Sequence, residues 1–318
     1  MAPQLLNNRP MMDIQDTYSL RGICMLMIVA HHVLKSIPDC PMTIWRWGDL
    51  GTAVFFFISG WGLYCSMVKR EIVDWGYLWQ NLKKLLIPYL IVWTLTELAF
   101  KLIHPDYSCT KMICDGLTLS YPSFAVANLW FFKVILTTYI LSILTYMWVK
   151  QRVLRLSIVT LLCTLYIIVA WRVLRLPSYW WCFILCFPFG MWLSAYRSEL
   201  NGVLSHKWAI AAISAAIYVL FMNFDILPMP AAIKYEPAFC LLTVSLVSIF
   251  NIQSKLLYFI GKNSLLFYLI HLAVILLLTE MLGGINQYYG LMLGAVLVVT
   301  LVLCWGYTRV ENLIKQKE

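Results

Sequence analysis

Two adjacent histidines, His31 and His32, lie near the end of an apolar run, Tyr18–Leu34 (YSLRGICMLMIVAHHVL), that opens on Arg21 and Gly22. An imidazole inside a membrane span is expensive, so a histidine there is a functional-site hypothesis by default. Burial favours the neutral ring, the form that accepts a proton as a general base. Helical geometry separates the pair. At about 100° per residue, His32 returns to within roughly 20° of the Arg21 face, whereas His31 points about 80° away. The rise from Arg21 to His32 is roughly 16 Å, about half a hydrocarbon core. One face therefore carries a cation near one surface and an imidazole deep within the membrane.

Other residues join them. Glu97 is the main intraspan carboxylate of the first half. It lies roughly 18 Å into its helix and His32 roughly 21 Å into its own, so a Glu97–His32 contact is open. A carboxylate there would hold the imidazole tautomer, as in serine hydrolase triads. Ser59 and Gly60 form a small-residue notch suited to close helix packing; Ser59 is otherwise a hydrogen-bond donor or an acyl acceptor. Lys133 is a costly cation inside a span and must face protein or water. Lys83 and Lys84 stand with Arg21 at one surface, and a basic mouth attracts phosphates. His31 either orients His32 or lines the far side of the site.

These residues need helices that cross a membrane. The chain has 318 residues, 62% hydrophobic and 12% charged, with mean hydropathy +0.78. Soluble domains carry about 25% charged residues, so this is a polytopic membrane protein. We expect an all-α fold of about ten transmembrane helices in a single domain over 1–318. A polar segment, 1–17, precedes the first span, with no secretory cleavage pattern. A basic tail, 308–318, follows the last. The predicted spans are Tyr18–Leu34, Gly51–Met67, Leu85–Ile103, Leu129–Val149, Val153–Trp171, Tyr179–Tyr196, Trp208–Phe224, Pro237–Ile252, Leu265–Leu282 and Tyr289–Tyr307. Met147–Leu156 reads as a short basic turn, and Ile103–Ala127 as the longest connector. With both termini in the cytoplasm, most of the 24 basic residues fall on the inner side. The net charge of +9 is dispersed among these loops, which excludes a nucleic-acid partner. Most of the ten cysteines lie in apolar runs as packing residues; Cys109 and Cys114 share a loop. No Cys/His spacing reads as a metal site.

Arg21 and His32 form an Arg-x10-His pattern in a first span. GTAVFFFISGWGL (Gly51–Leu63), YLWQNLKKLLIPYL (Tyr77–Leu90), NLWFF (Asn128–Phe132) and GKNSLLFYLIH (Gly261–His271) follow in order. This ordered set resembles the acyltransferase family 3, membrane-bound acyltransferases that decorate cell-surface glycans. The resemblance implies an enzyme of the plasma membrane, the inner membrane of a bacterium. It would use acyl-CoA, acetyl-CoA by preference, as donor substrate with no bound cofactor. Its partners would be membrane lipid and a glycan or lipid-linked saccharide, whose hydroxyl is acylated. His32 would be the base and Arg21 would anchor the donor, with transfer either direct or through an acyl group on His32 or Ser59. Lys83 and Lys84 stand where the family carries arginine, and Ala53 where it often carries an acid. Trp130 lies within one matched block and His271 ends another; each is a substrate contact or a packing residue, and Tyr268 shares the His271 face. The competing class is a transporter or flippase for a glycan precursor. Against it, the charges gather on the first and third spans, and no paired broken helices appear.

Overall fold

Local capping sets where the first helices begin. The Asp16 N–H donates to Asp13 Oδ1 at 2.7 Å and the Asp13 N–H to Asp16 Oδ2 at 3.2 Å. This reciprocal cap starts helix α1 at Ile14, ahead of the predicted span, and α1 runs Ile14–Leu34. Asp74 likewise accepts from the Tyr77 N–H at 2.7 Å and opens α3, Trp75–Ile103. Between them lies α2, Met42–Val68. The computed structural model describes residues 12–35, 37, 41–103, 105, 106, 108, 129–223, 231–281 and 289–316. Twelve α-helices and no strand occur among these residues. The others are α4 (Leu129–Trp148), α5 (Arg152–Ile168), α6 (Cys186–Ala195), α7 (Asn201–Leu204), α8 (Lys207–Asn223), α9 (Ala231–Phe250), α10 (Lys255–Lys262), α11 (Ser264–Met281) and α12 (Tyr289–Lys315).

Seven helices among the described residues are long and apolar enough to cross a membrane: α1, α2, α3, α4, α5 with its π-helical extension to Val173, α11 and α12. Two further predicted spans are shorter apolar helices, Lys207–Asn223 and Tyr235–Phe250. The remaining one, Tyr179–Tyr196, is not continuous. Ser178–Trp180 is a 3-10 turn, and α6 starts only at Cys186. Pro188 is the reason. Proline lacks an N–H and is tolerated in a helix's first turn, so the helix starts just before it. Cys109, Cys114 and Asn128 lie outside the described residues.

The chain divides into two units interleaved in sequence. The first holds Met1–Cys24, Asp49–Trp79 and Val134–Lys262; the second holds Met25–Gly48, Gln80–Lys133 and Asn263–Glu318. In the first unit, α2 is apolar all round and buries Phe56, Phe57 and Ile58. It crosses α6 backbone to backbone. A Cβ on Gly60 would collide with the Phe187 carbonyl, and one on Gly190 with that of Phe57. The start of α1 meets α10 in the same way, Gly22 on Leu257 and Gly261 on Tyr18. Small residues thus replace side-chain packing, as membrane helix pairs require. The predicted basic turn joins α4 to α5, and its arginine has structural work. Arg155 lies 3.5 Å over the Tyr146 ring and donates from Nε to the Val149 carbonyl at 2.9 Å. In the second unit, α11 packs along α12.

Candidate active site

The second unit brings His31, His32 and His271 together. His32, at the end of α1, has its ring 5.3 Å from that of His271 on α11. His31 stands edge-on to His32 at 5.0 Å and 75°. A Cβ on Gly48 would lie 2.6 Å from the His31 ring, so that glycine makes room for the imidazole. His271 is fully buried. Its Nδ1 lies 2.7 Å from the Tyr268 carbonyl and 3.2 Å from that of Phe267. Carbonyls only accept, so Nδ1 carries the proton and Nε2 of the neutral ring is bare. His32 Nδ1 is buried with no hydrogen-bond partner among the described residues. Lys35, one residue beyond α1, acts electrostatically on both His32 and His271. Burial pushes the Lys35 amine below its ordinary value. Sequence reading missed Lys35, because it looked like an ordinary loop charge.

An aromatic wall continues from the histidines. Tyr268 lies against His271 at 5.7 Å and against Phe131 at 4.8 Å. The neighbouring Phe132 stacks on Tyr89 of α3 at 4.1 Å and 2°. Trp130 stands edge-on to Phe131 at 85°. The Leu-Trp-Phe-Phe block therefore bridges α3 and α11, a role that spacing alone does not reveal. Glu97 is fully buried, and its charge acts on Tyr89. The side chains acting on His32 include His271, Lys35 and His31. Lys133 is half-buried one turn into α4, whereas Lys83 and Lys84 are exposed on α3. A cavity of about 380 Å³ lies between α3, α11 and α12. Its walls include Val92, Leu95, Val274 and Leu277, with Thr96, Glu280 and Tyr307 as polar members. Ile270 and Val274 of that wall flank His271 in sequence.

The first unit holds Arg21 and Ser59. Ser59 is buried and hydrogen-bonds with Tyr139, on which the Arg21 charge also acts. Arg21 Nε is buried with no hydrogen-bond partner among the described residues. The guanidinium lies beside Gly62, where an added Cβ would make an ordinary contact with Nη2 at 3.9 Å. A guanidinium beside two hydroxyls suits an anion or a polar carbonyl-bearing chain. Tyr139 carried no sequence signal, being one of 18 tyrosines. Glu236 was missed too, because it borders a predicted span. It is buried in α9 with both oxygens unpartnered among the described residues, and Asp49 and Cys186 act on it. Among the described residues, no group of three or more His, Cys, Asp or Glu is arranged to hold a metal ion.

Comparison with curated proteins and with solved structures gives no match. A family model, described as an acyltransferase domain, matches residues 19–309 and so takes in both units and every candidate named above. With its seven long apolar helices, the chain belongs to the acyltransferase family 3 and is a membrane acyltransferase.

Proposed function

We propose that the protein moves an acyl group, acetyl by preference, from cytosolic acyl-CoA to a saccharide hydroxyl on a cell-surface or lipid-linked glycan. The observation that carries this reading is the pairing of half-buried His32 with fully buried His271, 5.3 Å between rings, in a member of an acyltransferase family. Acyl transfer needs a base at the attacking oxygen and charge stabilisation at the carbonyl oxygen. His32 takes the hydroxyl proton as the oxygen attacks the thioester carbon. The Lys35 ammonium stabilises the oxyanion. The carbon–sulfur bond then breaks, and the leaving thiolate takes the proton from the imidazolium. His271, held by the Tyr268 carbonyl, fixes the position of His32, and His31 supports it from the other side.

Arg21, Ser59 and Tyr139 hold the donor. The rise of about 16 Å along α1 from Arg21 to His32 is a distance that a pantetheine arm covers. Lys83 and Lys84 add positive charge for the donor's phosphates. Trp130 and Lys133 belong to the acceptor side. The apolar walls of the cavity beside α11 suit a hydrocarbon chain, which favours a lipid-linked acceptor over a finished polysaccharide. Positive-inside charge puts both termini in the cytoplasm of a plasma membrane.

The test uses purified protein, labelled acetyl-CoA and a glycan extract. Label should pass to the saccharide fraction. Label that stays with CoA, together with saccharide flipping in vesicles lacking acyl-CoA, would replace this reading with transport.

A further inference from the structure

The aromatic wall of the second unit ends in a donor with no hydrogen-bond acceptor among the described residues. Tyr89, Trp93 and Glu97 are spaced four residues apart on α3, so they climb one face at about 40° per step. Tyr89 is buried and stacked on Phe132. Trp93 lies parallel to Tyr89, 6.5 Å between centroids and 3° between planes. Glu97, one turn further, has no solvent exposure. Trp93 Nε1 is buried and has no hydrogen-bond partner among the described residues. An indole nitrogen only donates, so it cannot be satisfied by another donor. A buried donor left unmatched is destabilising, and most such groups find a partner. One that persists beside a site calls for a partner that arrives with the substrate.

The surroundings say what kind of partner. Flat aromatic faces accept the C–H face of a sugar ring. A carboxylate accepts from sugar hydroxyls, and an indole N–H donates to a hydroxyl or ring oxygen. Binding sites combine such walls with a few placed polar groups. The wall also leads to the chemistry, since Phe132 adjoins Phe131, which touches Tyr268, which touches His271.

We propose that the Tyr89–Trp93–Glu97 face of α3 is the subsite for the saccharide ring, with Trp93 Nε1–H donating to one of its oxygens. This rests on the saccharide acceptor proposed above, but it adds a residue and a geometry that the family resemblance does not supply. Glu97 thereby serves the acceptor's hydroxyls rather than the His32 imidazole.

Trp93→Phe is the discriminating variant, since it keeps a ring for stacking and removes the N–H. The acceptor probe is the pool of neutral oligosaccharides released from the host's own lipid-linked saccharide fraction. Its equilibrium binding is measured without acetyl-CoA, and its KM in the transfer reaction. Both constants should weaken about three- to tenfold, the effect of one neutral hydrogen bond. The KM for acetyl-CoA and the acceptor-free hydrolysis of acetyl-CoA should not change. The melting temperature of the ligand-free protein should hold or rise, because an unmatched donor has gone. Unchanged saccharide constants would overturn the subsite, as would a rise confined to the acetyl-CoA KM. If wild type binds the oligosaccharides but transfers nothing, and Trp93→Phe weakens that binding, the subsite stands and the transferase reading falls. If wild type neither binds nor transfers, both fall.

Discussion

One N–H distinguishes the two histidines at the centre of the site. His271 commits Nδ1 to the Tyr268 carbonyl, which fixes its tautomer, whereas His32 Nδ1 has no such partner among the described residues. In the proposed mechanism His32 is therefore the ring that shuttles the proton, and His271 the ring that holds position. Lys35 supplies a cation beside both. Its ammonium is the active form, so activity should fall as pH rises through its pKa. Burial lowers that pKa from the usual value of about 10.4, which brings the alkaline limb down with it. Lys35→Arg keeps its charge throughout, so its pH–rate profile should lose that limb; an unmoved limb would remove Lys35 from the reaction. The same burial makes stability rise with pH across this window, because the unfolded chain keeps a proton that the folded amine gives up.

Arg21 makes a separate demand. On the proposed topology many other basic residues share the inner side, so Arg21→Lys and Arg21→Ala should insert normally. Losing a charge-assisted contact costs about 1.5–3 kcal/mol, so Arg21→Ala should raise the acetyl-CoA KM roughly ten- to hundredfold. Arg21→Lys, without the planar fork, should fall between, and the acceptor KM should stay put. Equal donor dependence in all three proteins would end the anchoring role. Arg21 and His32 stand out in the sequence as candidates because a charge and an imidazole are conspicuous in an apolar run and helical spacing relates them. Tyr139 and Trp93 were not, since an aromatic residue in an aromatic-rich chain gives no sign of where its polar atom points. Glu236 was hidden by its place at a span boundary.

Among the elements, close backbone approach governs the crossings that position Arg21. Gly22 follows it directly and rests on Leu257, while Gly261 rests on Tyr18. Gly261→Ala should force these helices apart at about 1–3 kcal/mol and lower the melting temperature by several degrees. Gly294→Ala on α12 is the control, since an added Cβ there meets nothing within 4 Å. Equal stability of the two variants would contradict the crossing. The paired glycines on α2 and α6 show why the Ser59–Gly60 notch read as packing. Gly60 does pack, and its neighbour Ser59 carries the hydroxyl. Hydropathy located the long helices well. It failed at Tyr179–Tyr196, where the composition is apolar throughout and only the position of Pro188 marks where α6 begins.

At the scale of the whole molecule, hydropathy and the ordered motifs identified a helical membrane protein of the right family. The division into two interleaved units was not legible, because α1, α2, α3 and α4 each contribute residues to both. A helix that changes partners along its length leaves no mark in composition. The family assignment needs catalysis by this chain, and the proposed mechanism needs it at His32. The most direct measurement is transfer of labelled acetyl from acetyl-CoA to the saccharide fraction by purified wild type and by His32→Ala, each shown to be folded by its melting temperature. Wild type should label the saccharide, and His32→Ala should insert and fold normally yet transfer nothing above background. Undiminished transfer by His32→Ala would contradict the account.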